Sequence, residues 1–103
     1  MIPILSVGPG VIRDTVRLAA LEVPGVLRVG RGGPRWRDTL GGSPIKVRLR
    51  EGRVFVTVRV VARPRQALVP LSGQVRSAIA AAVVRLLGME LGGVTVLVDG
   101  VGA

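Results

Sequence analysis

Apolar residues recur at helical spacing in two separate parts of the chain. The first stripe of an amphipathic helix ends at Pro24-Gly25 and comprises Ile12, Val16, Ala19, Ala20 and Val23. The second has Pro70 in its first turn and Gly88 at its end. Its members are Leu71, Val75, Ala78, Ile79, Ala82, Val83 and Leu86. The pattern predicts two helices, each with one buried face.

Apolar and polar residues alternate over residues 45–50 and 53–60, which flank the two-residue turn Glu51-Gly52. This arrangement is typical of a β-hairpin. Closing the hairpin on two residues places Leu49 opposite Val54 on the apolar face. A further alternating segment over 94–99 predicts a third strand, whose inward residues are Val94, Val96 and Val98.

The predicted order is therefore helix, strand, strand, helix, strand. Two helices on one face of a three-stranded sheet would bury both apolar stripes, which predicts an α+β two-layer sandwich. The whole chain, 1–103, is expected to form one domain. Segment 30–44 contains five glycines and two prolines without an apolar period, and it predicts a mobile loop.

Composition limits the classes of function. Hydrophobic residues make up 49% of the 103 residues, which is enough to form a core and excludes wholesale disorder. Fifteen Lys and Arg against six Asp and Glu give a net charge of +9. This charge favours phosphates, anionic lipid or an acidic protein as partners, without choosing among them.

The residue types that support most hydrolytic and metal chemistry are missing. The chain has no Cys and no His, so thiol nucleophiles, imidazole bases and Cys or His metal ligands are excluded. The predicted elements scatter the six carboxylates, which are Asp14, Glu22, Asp38, Glu51, Glu90 and Asp99. We therefore expect no enzymatic activity, no cofactor, no metal site and no small-molecule substrate.

Hydropathy indicates a location in the cytoplasm. The longest apolar run, Ala78–Val84, spans seven residues, far below the roughly 20 that cross a bilayer. Met1–Leu5 carries no positively charged leader, so no signal peptide is expected. A peripheral position at the inner face of the membrane is the alternative.

The polar face of the hairpin is the first candidate site. It comprises Lys46, Arg48, Arg50, Arg53, Phe55 and Arg59, with Thr57 among them. Cations for phosphates beside an aromatic ring are typical of proteins that bind single strands of nucleic acid. Arg50 faces Arg53 in the predicted register, and an anion would relieve that repulsion. The alternative is a solvated face whose charges keep sheet edges from pairing.

The outer faces of the helices are the second candidate site. They carry little charge, and the second helix contains only Arg76 and Arg85. The residues that lie off the predicted core stripes are Leu18, Leu21, Ala80, Val84 and Leu87. These residues predict a surface for self-association or for a protein partner. The alternative is that alanine is present as a helix former and that the few exposed apolar residues are ordinary.

Three blocks, in this order, resemble the alkaline shock family of Gls-type envelope stress response proteins. They are 19–26 after Val11-Ile12, the hairpin turn 51–54, and 75–90 leading into 94–101. The resemblance implies a small cytoplasmic bacterial protein without known catalytic residues. It also implies a link to cell-envelope homeostasis, self-association, and in some cases a membrane-anchored protein partner.

The sequence therefore leads to one expected function and two alternatives. We expect a non-enzymatic adaptor of the alkaline shock type that associates with itself and with a protein partner near the envelope. The first alternative is a nucleic-acid-binding module that uses the basic hairpin face. The second places that face on anionic lipid, where each Lys or Arg near the surface contributes about 1 kcal/mol.

Overall fold

Seven helices and strands make up the described part of the chain, residues 8–34 and 36–102 of a computed structural model. Their order is α1 (Pro9–Leu21), β1 (Val26–Val29), α2 (Trp36–Leu40), β2 (Ile45–Arg50), β3 (Arg53–Ala62), α3 (Leu68–Leu87) and β4 (Glu90–Val101). Helices α1 and α3 contact each other and cover the same face of the sheet. The predicted α+β two-layer sandwich is confirmed. The segment Met1–Leu5, where no signal peptide is expected, lies outside the described residues.

Strand β3 is the centre of a mixed sheet. It pairs antiparallel with β2 in the predicted register, in which Ile45 faces Val58 and Arg50 faces Arg53. It pairs in parallel with β4 along its whole length, because α3 carries the chain back across the sheet. Strand β1 pairs antiparallel with the end of β3. Strands β1 and β2 therefore lie end to end along one edge of β3, and β4 lies along the other.

The fourth strand, β1, corrects the expectation of a three-stranded sheet. It has only four residues, of which Val26 is buried and the other three are half-buried. Its pairing with β3 shifts register between Val26 and Arg28. Four residues with such a bulge give no alternation that a sequence pattern could reveal, because the strand exists only through its pairing with β3.

The core lies between the helices and the inner face of the sheet. Alternate residues of β3 are buried there, namely Val54, Val56, Val58 and Val60. They meet the predicted stripe of α1, all of whose members are buried. The row Val94, Val96 and Val98 packs against the same core, as predicted. Burial of one such side chain stabilises the fold by roughly 1.5–3 kcal/mol, so this interface dominates stability.

Helix α3 buries a line of residues that are four positions apart, Leu71, Val75, Ile79 and Val83. Leu87 continues this line and packs against the core, whereas Leu86 is 75% exposed. The predictions that Leu86 is buried and that Leu87 faces outward are therefore wrong. Rows of residues spaced by four are inclined to the helix axis, so the next member of the row reaches the core in the last turn.

Segment 30–44, for which a mobile loop is predicted, contains α2 and two arginines that bind backbone carbonyls. Arg31 is only 9% exposed and donates hydrogen bonds to the carbonyls of Gly41 and Gly42, the latter at 2.8 Å. Arg37 donates to the carbonyl of Gly32 at 2.8 Å. These bonds hold the glycine-rich segment to itself. The mobility of the segment stays a prediction.

Candidate functional site

The predicted basic residues lie together on the sheet face opposite the helices. The pairing register arranges them, with their neighbours on β4, in three rows across the sheet: Lys46–Thr57–Thr95, Arg48–Phe55–Gly93 and Arg50–Arg53–Glu90. Arg59 follows further along β3, level with Leu97. The basic residues of β2 and β3 are placed side by side by the hairpin register, which the sequence predicts. The contribution of β4 comes from a parallel pairing that no local pattern reveals.

Strand β4 neutralises part of this charge. Arg53 Nε lies 3.2 Å from Glu90 Oε1, directly across the β3–β4 pairing. Arg59 Nη1 lies 3.8 Å from Asp99 Oδ2. Arg37 of α2 approaches the same carboxylate oxygen at 3.9 Å. Two cations of the predicted face therefore have carboxylate partners, and Glu90 offsets the repulsion between Arg50 and Arg53.

The remaining positive charge lies on β2. Lys46, Arg48 and Arg50 are exposed and form no ion pair with any residue in the described ranges 8–34 and 36–102. Three cations alternate along one strand, so their side chains project from the same face at intervals of two residues. The positive field of the outer face is therefore concentrated along this strand.

Two adjacent depressions lie on this face. The larger has a volume of about 390 Å³ and is lined by Lys46, Arg48, Phe55, Val56, Thr57, Gly93 and Thr95. The smaller has a volume of about 150 Å³ and is lined by Arg48, Arg50, Glu51, Arg53 and Phe55. Arg48 and Phe55 border both. The sequence pattern does not indicate Thr95 and Gly93, because β4 joins the site through tertiary pairing.

The ring of Phe55 is placed by a glycine on the neighbouring strand. A Cβ atom at Gly92 would lie 2.4 Å from the ring atom Cζ, closer than real Cβ atoms approach other atoms. The glycine therefore allows the ring to lie across β4, where it is half-buried. Phe55 forms a fixed wall of the larger depression.

The helical side of the molecule carries a groove between α1 and α3. Its volume is about 370 Å³, and it is lined by Thr15, Leu18, Ala19, Glu22, Ala78, Ala81, Ala82, Arg85 and Leu86. We call it the helix groove. Leu18 is 63% exposed and Leu86 is 75% exposed, so its rim is apolar. Four alanines also line it, and their small side chains leave the groove open.

The two charges of the helix groove lie at its opposite ends. Glu22 follows the last turn of α1 and borders the same neighbouring depression as Gln74, in the first half of α3. Helices α1 and α3 are therefore antiparallel, and Arg85, in the last turn of α3, lies near the middle of α1. Neither Glu22 nor Arg85 has an ion-pair partner among the residues that the structure describes.

The residues predicted for protein association divide between exposed and packed positions. Leu18, Leu21 and Val84 are 63%, 44% and 53% exposed. Ala80 is half-buried, and Leu87 packs against the core, so Leu87 does not contribute to an outer surface. Glu22 and Leu86 were missed, the latter because its spacing suggests the core. Association through this side stays a prediction.

The described residues contain no group of three or more acidic, histidine or cysteine side chains that could hold a metal ion. Within the same residues, no helix is long and apolar enough to span a membrane.

Comparisons with known proteins give a likeness of fold. No protein-family model and no curated protein matches the chain. Solved structures of the MamM C-terminal domain (CTD) do match. A zinc form of one variant has a TM-score of 0.59 and 16% identity, and covers 91% of this chain and 87% of that chain. A manganese form of another variant has a TM-score of 0.58 and 17% identity, and covers 90% of this chain and 99% of that chain.

These matches correct the expected function. The similar solved structures are MamM C-terminal domains, not alkaline shock or envelope stress proteins, so the expected alkaline shock adaptor is wrong. The physical reason is that apolar stripes and a hairpin turn specify which faces are buried, and a sandwich of this order satisfies them whatever its function. An exposed apolar groove on the shared fold is compatible with self-association.

Proposed function

We propose that this protein is a non-catalytic module that acts by self-association, in which the helical sides of two copies pack together. The observation that carries the proposal is the helix groove, whose apolar rim lies between Glu22 at one end and Arg85 at the other. Exposed leucine on both sides of a groove is the kind of surface that a partner covers. The proposal concerns this side alone.

A second copy is the occupant that the charges favour. A two-fold axis that lies in the plane of the helical face, perpendicular to the line from Glu22 to Arg85, would bring Glu22 of each copy to the partner's Arg85. Such an interface is complementary to itself, as two-fold symmetry requires. In a chain with net charge +9, two copies repel in most orientations. The helix groove has one acidic and one basic residue, so repulsion there is weaker than between two basic sheet faces.

Metal regulation is not part of the proposal. The similar MamM structures include zinc and manganese forms. This chain has no His and no Cys, and its described residues contain no cluster of potential ligands. Zinc prefers nitrogen and sulfur ligands in a group of at least three, so the residues present do not fit such a site.

Catalysis is also not part of the proposal. Glu90 and Asp99 are bound in ion pairs with arginines of the sheet and of α2. Glu51 is exposed in the hairpin turn, and Glu22 lies on the helical side. Asp14 is exposed on α1. The carboxylates whose side chains are described are thus spread over both sides of the sandwich rather than converging on one cleft, as a general acid and base would.

The test is sedimentation equilibrium over a range of protein concentrations. We expect a monomer–dimer equilibrium for the full chain. Leu86→Ser should weaken it about tenfold or more, because it places a polar side chain on the apolar rim that the second copy would cover. Leu40→Ser is the matched control, because Leu40 is 77% exposed on α2, outside the groove. A strict monomer at high concentration, or equal effects of the two changes, would refute the proposal.

Charge reversal tests the orientation of the two copies. Glu22→Arg and Arg85→Glu should each weaken the dimer, because each places like charges together at both ends of the interface. The double variant should recover most of the affinity, because the pairs form again with opposite sign. Additive loss in the double variant would contradict the two-fold arrangement. Circular dichroism of each variant checks that the fold is retained.

A further inference from the structure

We infer that the larger depression on the outer sheet face binds a nucleotide, with its phosphate beside Lys46 and Arg48 and its ring against Phe55. The site lies on the opposite side of the sandwich from the helix groove, so the inference does not depend on self-association. Free nucleotides and the units of a single strand share this chemistry. The experiment below separates the two sources.

Two cations and two hydroxyls line the same depression. Lys46, Thr57 and Thr95 form one row across three strands, and Arg48 lies in the next row. Both hydroxyls lack a hydrogen-bond partner within the described residues, and so do both cationic groups. Two cations and two hydroxyl donors match the oxygens of a phosphate, which accept several hydrogen bonds at once. The available donors distinguish this site from Arg53 and Arg59, which have carboxylate partners.

An apolar wall and free space complete the site. Phe55 lies against Gly92, and Gly93 lines the depression without a side chain to fill it. The volume of about 390 Å³ lies within the range of small-molecule sites, roughly 300–1,000 Å³. Aromatic rings bind bases by stacking, which adds roughly 1–3 kcal/mol per base in single-strand binders. A phosphate beside Lys46 and Arg48 and a flat ring against Phe55 would therefore share one depression.

The chain offers a control that separates a formed site from general positive charge. Arg48 and Arg50 lie two residues apart on β2, both exposed, on the same face. Arg48 lines the larger depression, and Arg50 lines only the smaller one. Arg48→Ser and Arg50→Ser remove the same charge from the same strand. If binding depends only on general positive charge, the two variants should lose the same affinity. If the ligand occupies the larger depression, Arg48→Ser should lose more affinity than Arg50→Ser.

The experiment is a titration of the full chain with adenosine monophosphate and with a labelled single-stranded oligonucleotide, at fixed near-physiological salt. We expect Arg48→Ser to weaken binding about tenfold or more and Arg50→Ser by no more than about threefold. Thr57→Val keeps the shape of the side chain and removes one hydroxyl. It should therefore weaken binding of whichever of the two ligands the protein binds. Inorganic phosphate, titrated in the same way, is the reference ligand without a ring. Phe55→Leu should weaken binding of the oligonucleotide more than that of inorganic phosphate.

Each outcome decides the inference. Binding of the mononucleotide shows a free nucleotide as the source, and binding of the oligonucleotide alone shows a single strand. Both support the site when Arg48→Ser is the more damaging change. Equal losses in the two arginine variants, or no binding of either ligand, would overturn it. Dimerisation of the Arg48→Ser variant is measured separately. If the variant still forms dimers, a failure of the nucleotide site leaves the proposed self-association unaffected.

Discussion

Leu71→Ala and Leu86→Ala make the same chemical change at two positions of α3 that helical spacing treats as equivalent. In the structure, Leu71 is 2% exposed and Leu86 is 75% exposed. Leu71 lies against Gly25, where a Cβ atom would come within 2.7 Å of Leu71 Cδ1. The two variants therefore test how α3 is oriented against the sheet.

The expected magnitudes differ several-fold. Leu71→Ala removes three buried carbons, about 0.8 kcal/mol for each methylene equivalent, or roughly 2.4 kcal/mol of transfer free energy. The cavity left behind raises the expected loss to about 2–5 kcal/mol. Each kcal/mol lowers the Tm of a domain this size by about 4–8 °C, so Tm should fall by at least about 10 °C. Leu86→Ala should change the free energy of unfolding by no more than about 0.5 kcal/mol.

Urea unfolding followed by circular dichroism measures both losses. Because Leu86 borders the helix groove, the measurement is repeated over a range of protein concentrations, and the value at low concentration is compared. The slope of free energy against urea should be the same in both variants if only the folded state changes. Equal losses, or a larger loss at Leu86, would show that α3 presents a different face to the core.

Three further changes test particular contacts. Glu90→Gln removes the partner of Arg53 and leaves it beside Arg50, so urea unfolding should show a loss of up to ~1 kcal/mol that shrinks as salt rises. Gly88→Ala places a side chain at φ 62°, so thermal unfolding should show a loss of about 1–2 kcal/mol, and a neutral result would contradict the left-handed helix end. Arg31→Met keeps a long side chain and removes the hydrogen-bond donors to the carbonyls of Gly41 and Gly42. Amide hydrogen exchange should therefore become faster over residues 31–42 and stay slow in β3. Unchanged exchange over 31–42 would contradict the role of the guanidinium.

The two candidate surfaces lie on opposite sides of one thin sandwich. Pairing through the helices would point both basic sheet faces away from each other. Each copy of a dimer would then keep its own depression open, and a short oligonucleotide should bind with one site per chain in the monomer and in the dimer alike. A change of this stoichiometry on dimerisation would show that the surfaces are not separate.

The two main helices, the hairpin and its register are predictable from the order of residues along the chain. Alternation fixes which hairpin residues share a face, since successive side chains of a strand point to opposite sides, and a two-residue turn leaves only one pairing. Six predicted basic-face residues follow from that register. Their capacity to bind an anion does not follow, because it depends on which of them have carboxylate partners.

The other features depend on how the helices and strands pack together. The parallel β3–β4 pairing brings Glu90 to Arg53 and Thr95 to Thr57 across more than thirty residues of chain. Strand β1 exists through its pairing with β3, and Leu86 is exposed although its spacing resembles that of buried residues. The spacing of apolar residues indicates only which face of a single helix or strand is buried. The partners of a surface residue depend on how separate elements are placed, and that placement is set by the packing of the whole core.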